Sequence, residues 1–277
     1  MIRSGRQKVQ ASEGGSRLLY VHIARTGYMR NTAYKWSHMV NNLASALFGF
    51  IYIALWQAVA PATTGPGDPY NRSTLVSIMV LAQVFAWVAT FLPAGLGIQN
   101  AIRTGSIALE VARPVPYFPM VMAREVGSVA YQALYRSLPL AVIFTLTVGF
   151  PRPASLSGLL LTVPSLVLAS YVALTMVYSV GISALWTTEV RYAHWLYMSV
   201  SSLLSGGWIP ADIMPGWLGT VAPYLPFAAT QHYPIRIYLG LAGAEGLLMQ
   251  ALWAVLLTVW CWWITGRAMR RIVVQGG

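Results

Sequence analysis

Residues 156–185 read LSGLLLTVPSLVLASYVALTMVYSVGISAL, thirty residues without one Asp, Glu, Lys, Arg or His. An uncharged apolar run of this length is the signature of a membrane span, which needs roughly 20 residues. The run lacks the period-two alternation of a barrel strand. In hydrocarbon every backbone N–H and C=O must be satisfied within the segment, so the run predicts a helix.

Further apolar runs flank this one at about 39–60, 75–98, 129–150, 194–209 and 247–266. Composition agrees: 57% of the 277 residues are hydrophobic and 9% charged, where soluble domains carry about 25% charged residues. The predicted fold is therefore an all-α integral membrane protein of six spans, occupying 16–277 behind a polar, disordered leader at 1–15. That leader has no cleavable signal pattern. Fourteen basic residues fall before span 1, in the 2–3 and 4–5 loops and in the tail. Three (Arg72, Arg152, Arg236) fall on the opposite side. Positive-inside topology then puts both termini in the cytoplasm. The net charge of +11 flanks the apolar runs, which points to membrane lipids and not to nucleic acid.

Four segments depart from ordinary spans. Between 16 and 38, Arg17, Arg25, Arg30 and Lys35 interleave with Leu18, Leu19, Ile23 and Tyr34, the pattern of an interfacial helix; a simple basic anchor is the alternative. In the 2–3 loop, Ile107, Leu109 and Val111 alternate with Arg103, Glu110 and Arg113. A short amphipathic helix there, limited by Pro114, would face a partner; an inert solvated loop is the alternative. From 206 to 240, Pro210, Pro215 and Pro226 break a segment that is otherwise apolar, with Trp217 and Phe227, and that also carries Asp212. Such a segment suits a re-entrant outer hairpin covered by protein, or an aromatic belt at the interface. Arg136 is the charge that the span boundaries enclose, either snorkelling or facing a substrate path. Pro139 and Pro164 predict kinks in spans 3 and 4.

What is missing narrows the chemistry. There is no P-loop GxxxxGK[ST], no HExxH or GxSxG, and no cysteine–histidine metal spacing. Cys261 is the single cysteine. No catalytic residue, metal site or cofactor is expected in this chain. No carboxylate pair marks an ion-coupled pathway.

Several segments resemble the bacterial ABC-2-type permeases of about 260–280 residues. Ile102 to Glu110 with Arg113-Pro114 is similar to that family's 2–3 segment, and Ala123-Arg124-Glu125-Val126-Gly127 to its Arg-Glu start of span 3. Ile209-Pro210, Pro215-Gly216-Trp217-Leu218 and Leu225-Pro226-Phe227 resemble its outer hairpin. Pro234 to Gly240 and Val273 to Gly277 resemble its C-terminal part. Here apolar Val111 and Ala112 stand where the family has a second acid. The resemblance implies a permease subunit in the cytoplasmic membrane. It would pair with a second permease, a related chain or another copy, above two ATPase subunits that bind ATP and Mg. The 2–3 segment would be the coupling helix, and an amphipathic compound, lipid or peptide would move outward. The rival reading is a gradient-driven secondary transporter.

Overall fold

The computed structural model describes residues 18–32, 35–63, 70–187 and 190–275, the side chains at 35–37, 60–63 and 272–275 excepted. The expected leader and Arg17 lie outside these residues, as does the Lys35 side chain. The described chain is helical: α1 at 18–32, α2 Lys35–Thr63, α3 Arg72–Ala89, α4 Ile98–Arg103, α5 Ile107–Val111, α6 Tyr117–Gln132, α7 Leu138–Thr147, α8 Leu156–Ile182, α9 Arg191–Leu204, α10 Trp217–Val221, α11 His232–Tyr238 and α12 Ala244–Gln275. Among the described residues, five helical stretches are long and apolar enough to cross a membrane: His38–Val59, Arg72–Arg103, Tyr117–Thr147, Leu156–Leu185 and Ala244–Arg271. The run expected as the fifth span is the 14-residue α9, about 21 Å long at 1.5 Å per residue.

Two expected spans are irregular for reasons that can be named. In span 3 the helix passes from α6 into α7 through a π turn, Ala133–Ser137. Pro139 has no N–H to give the Tyr135 carbonyl four residues back. Asn42 on α2 fills that vacancy, its Nδ2 donating to Tyr135 O at 3.0 Å. Span 2 stops at Ala89 and resumes only after a 3₁₀ turn, Ala94–Gly97. Gly95, Leu96 and Gly97 there have φ of 53°, 52° and 75°. The left-handed region costs a non-glycine residue roughly 1 kcal/mol, and Leu96 is held in it by near-complete burial (1% exposed). A Cβ on Gly181 of α8 would lie 2.2 Å from the Gly95 carbonyl oxygen, so the broken backbone rests directly on α8.

The core is built on α8. Ser155 caps it, accepting from Gly158 N at 2.9 Å, and the helix continues through Pro164. Its buried face (Val172, Ala173, Val177, Ile182) joins Val121 and Phe118 of α6 and Cys261 of α12. Polar rungs tie α8 to α12. Ser165 Oγ donates to Gln250 Oε1 at 2.7 Å, and the Tyr171 hydroxyl shares a hydrogen bond with Thr258 Oγ1 at 2.6 Å, as Tyr178 does with Thr265 Oγ1 at 2.7 Å. Partner numbers rise together along both helices, so α8 and α12 run parallel. Outward faces stay apolar, Leu146 (81% exposed) and Leu248 (72%) among them, as lipid requires.

Candidate functional site

The 2–3 segment folds as two short helices. Gly105, at φ 72°, turns the chain from α4 into α5. Ile107 is tucked in at 5% exposure, whereas Leu109 is 75% exposed and Val111 36%. Arg113 and Pro114 follow, both exposed. An apolar side chain held outward on so short a helix offers a contact that the described chain does not use.

Glu110 fastens α5 to the bundle through Arg124 of α6. The Arg124 guanidinium donates in three directions: Nη1 to Glu110 Oε1 at 3.0 Å, Nε to Glu125 Oε1 at 3.0 Å, and Nη2 to the Leu96 carbonyl at 3.1 Å. A rigid planar fork suits that task where a lysine would not. Glu125 is 1% exposed. Its Oε1 also receives Arg30 Nη2 of α1 at 3.4 Å, and the same Nη2 donates to Ser128 Oγ at 3.4 Å. One chain of charges thus joins α1, α6, α5 and the break in span 2.

Glycine makes the crossing of α1 and α6 possible. A Cβ at Gly27 would lie 2.0 Å from the Arg124 carbonyl oxygen, and one at Gly127 would lie 1.8 Å from that of Ala24. Small residues let helix backbones touch in this way. Of the other interfacial candidates, Arg25 is exposed. Arg103, expected beside α5, instead lines a cavity with Gln99, Trp186 and Arg271.

Arg136 sits in the π turn, its guanidinium 4.1 Å above the Trp87 ring, and donates to His38 Nδ1. The other ring nitrogen of His38, Nε2, donates to the Asn31 carbonyl at 3.0 Å. That pairing assigns the neutral tautomer with its proton on Nε2. Arg136 is thereby tied to the α1–α2 junction. It is also not the sole charge inside a span: α6 starts at Tyr117, not near 129, so Arg124 and buried Glu125 belong to the same spanning stretch. Their mutual neutralisation lets the helix extend past the expected boundary.

The proline-rich segment after α9 runs along α3. At one end Asp212 accepts from Tyr70 Oη and Arg236 Nη1, and Arg236 Nη2 donates to the Leu241 carbonyl at 2.8 Å. His232 Nε2 lies 3.3 Å from Asp212 Oδ1. Burial pushes the His232 imidazole down to about 4, leaving it neutral at physiological pH. At the other end Gln231 Nε2 donates to Thr90 Oγ1 at 2.6 Å. Tyr70 precedes α3 and Thr90 ends it, so side chains of the segment touch both ends of that helix, which is about 27 Å long. Side chains satisfy its irregular backbone: Gln250 Nε2 donates to Ala229 O at 2.8 Å, Trp253 Nε1 to Tyr224 O at 3.0 Å, and Trp56 Nε1 to Trp208 O at 3.1 Å. Pro210 is buried, Pro226 and Phe227 half-buried, and Pro215 and Trp217 exposed.

Between α2, α3, α9 and this segment lies a cavity of about 260 Å³. Phe48, Tyr52, Phe91 and Trp208 line it together with Ser45, Gln83, Ser202 and Gln231. The Gln231 Oε1 is buried without a hydrogen-bond partner. Aromatic faces interleaved with amides and hydroxyls suit a ligand that is itself part apolar and part polar.

Sequence reasoning missed the Arg124–Glu125 hub as a site, the Gly27–Gly127 crossing and the Gln231–Thr90 contact. The first was signalled by adjacent opposite charges at the edge of an apolar run. The other two depend on pairings between distant segments and leave no local pattern.

Residues 45–276 match the family model described as ABC-2 family transporter protein. No curated protein matches the chain.

Proposed function

The chain belongs to the ABC-2 family of transporter proteins, a family of membrane transport subunits and not of enzymes, and from that premise we propose that it is the permease subunit of an ATP-driven exporter. It works in the bacterial cytoplasmic membrane, paired with a second permease, a related chain or another copy. Two ATPase subunits beneath the pair bind ATP and Mg. The observation that carries this reading is α5: Leu109 is 75% exposed on a helix anchored by Ile107 and by the Glu110–Arg124 pair. It is a firmly mounted apolar contact with nothing yet upon it. ATPase movement felt at Leu109, Glu110, Arg113 and Pro114 would pass through Arg124 to α6, to the span 2 break and, by Glu125 and Arg30, to α1.

The topology of this proposal has six crossings, with both termini in the cytoplasm. The parallel run of α8 and α12 supports the sixth. The chain leaves the spanning stretch of α8 at Leu185 and must return to the level of Ser165 before Gln250 can bond it. Short α9 and the residues after it provide that return. The segment 206–240 is then a re-entrant outer hairpin. Its satisfied backbone and its reach from Tyr70 to Thr90 favour that depth over a belt at the interface. The cargo is an amphipathic compound, lipid or peptide, and the mixed lining of the 260 Å³ cavity suits a part of such a molecule.

The test is affinity purification of the chain from its native host, in mild detergent and again in lipid nanodiscs, with ATP hydrolysis assayed. A P-loop ATPase should co-purify stoichiometrically, and Leu109→Arg should reduce its recovery at least tenfold while membrane insertion is unchanged. A clean preparation without ATPase in both media would transfer the assignment to a gradient-driven carrier. Full recovery with Leu109→Arg would remove α5 from the interface.

A further inference from the structure

We propose that the cavity enclosed by Arg103, Arg271 and Trp186 is a binding site for the phosphate of an anionic phospholipid headgroup. The argument starts from where three helix ends meet. The last turn of α4, the 3₁₀ turn that ends α8 (Ser183–Leu185) and the final basic stretch of α12 enclose about 460 Å³ of space. The lining is Gln99, Ile102 and Arg103 from α4, Ala184 to Thr187 from the end of α8, and Arg271 from α12. Arg271 lies over the Trp186 ring, 5.8 Å from its centre.

Two arginines lining one space gather positive charge that an anion between them would neutralise. Among the described residues no acid pairs with Arg103 or Arg271 within ion-pair distance. Three other arginines hold acids: Arg124 and Arg30 hold Glu125, and Arg236 holds Asp212. Capping of helix carbonyls, the ordinary task of basic side chains at helix C-termini, is already done by backbone. Thr104 N donates to Asn100 O at 3.0 Å and Gly105 N to Ile102 O at 3.1 Å, while Trp186 N and Thr187 N donate to Ser183 O at 2.9 and 3.0 Å. The guanidiniums are free to turn toward the space between them.

The ligand's chemistry follows from the lining. Arginine forks match phosphate oxygens two at a time. Trp186, 39% exposed, gives an indole of the kind found at headgroup level. The position is right for a lipid. Just above, Arg267 stacks at 4.5 Å on Trp263, and above that α12 is apolar, so the pocket opens where hydrocarbon gives way to headgroups. Basic pockets between helix ends on the basic side of a membrane protein hold anionic headgroups. Arg103 on this account serves lipid and not the α5 contact surface.

The experiment uses the full-length chain, purified and delipidated in detergent, with bound lipid counted by native mass spectrometry. The probes are phosphatidylglycerol, phosphatidylcholine and inorganic phosphate. Wild type should retain phosphatidylglycerol at least tenfold over phosphatidylcholine. Arg103→Gln with Arg271→Gln should abolish that preference, and Arg270→Gln should keep it. Millimolar inorganic phosphate that displaces the lipid as well as excess phosphatidylglycerol does would make the ligand a soluble phosphate and overturn the lipid assignment. Should the double variant not fold, the wild-type preference and the single variant Arg103→Gln decide. No wild-type preference, or an Arg103→Gln chain that keeps all of it, overturns the proposal.

Discussion

At the scale of single residues, Glu125 bears the most. It is buried at 1% exposure and shared by Arg124 and Arg30. Removing one member of a buried pair leaves the other charged without compensation, at a cost of about 3–5 kcal/mol. Glu125→Gln should therefore lower the midpoint of thermal unfolding in detergent, and Glu125→Ala should lower it further, because Gln keeps a hydrogen-bond acceptor for both arginines. A Glu125→Gln chain as stable as wild type would mean that the carboxylate charge is idle. This hub was half legible. Arg124 and Glu125 could be read as an adjacent pair of opposite charges, but Arg30 lies 95 residues away in sequence, and only the fold brings it there. Arg136 was legible as a charge in a span; that it meets His38 and Trp87 was not, because a π turn redirects it.

At the scale of elements, the sequence announces helices that are long, apolar and ended by proline or charge, and it is weaker where helices break. Pro139 signals the disturbance in span 3 by removing a hydrogen-bond donor. The halt in span 2 has a subtler sign, Pro93 followed by Gly95 and Gly97, which an apolar count runs straight through. The shortness of α9 is likewise hidden, because Gly206 and Gly207 sit inside an apolar run. The docking of α1 against α6 rests on two glycines whose importance appears only when their carbonyl neighbours are known. Gly127→Val should prise the helices apart. Hydrogen–deuterium exchange over 18–32 should rise at least tenfold, with exchange in α8 unchanged. Protection retained in α1 would show that the Arg30–Glu125 link alone is sufficient to hold it.

At the scale of the whole molecule, orientation can be tested with the chain's own silent background. Cys261 is fully buried and should resist impermeant thiol reagents in intact cells. Against it, a cysteine replacing Thr220 should label from outside, and one replacing Ser106 only after the membrane is opened. Labelling of the Ser106 variant in intact cells would invert the topology. The left-handed turn at Gly95-Leu96-Gly97 would have a mechanical meaning for the proposed assembly. A continuous helix behaves as a drive shaft, because each rung of its ladder of bonds carries torque to the next. Here the ladder ends with Phe91 N reaching back to Ala86 O, and the screw sense reverses before α4 begins. Twist applied to α4 and α5 would find no continuous ladder to α3, while push and pull would be met by Arg124 of α6 and by Gly181 of α8, against which the turn rests. The membrane end of span 2 would feel a piston rather than a crank.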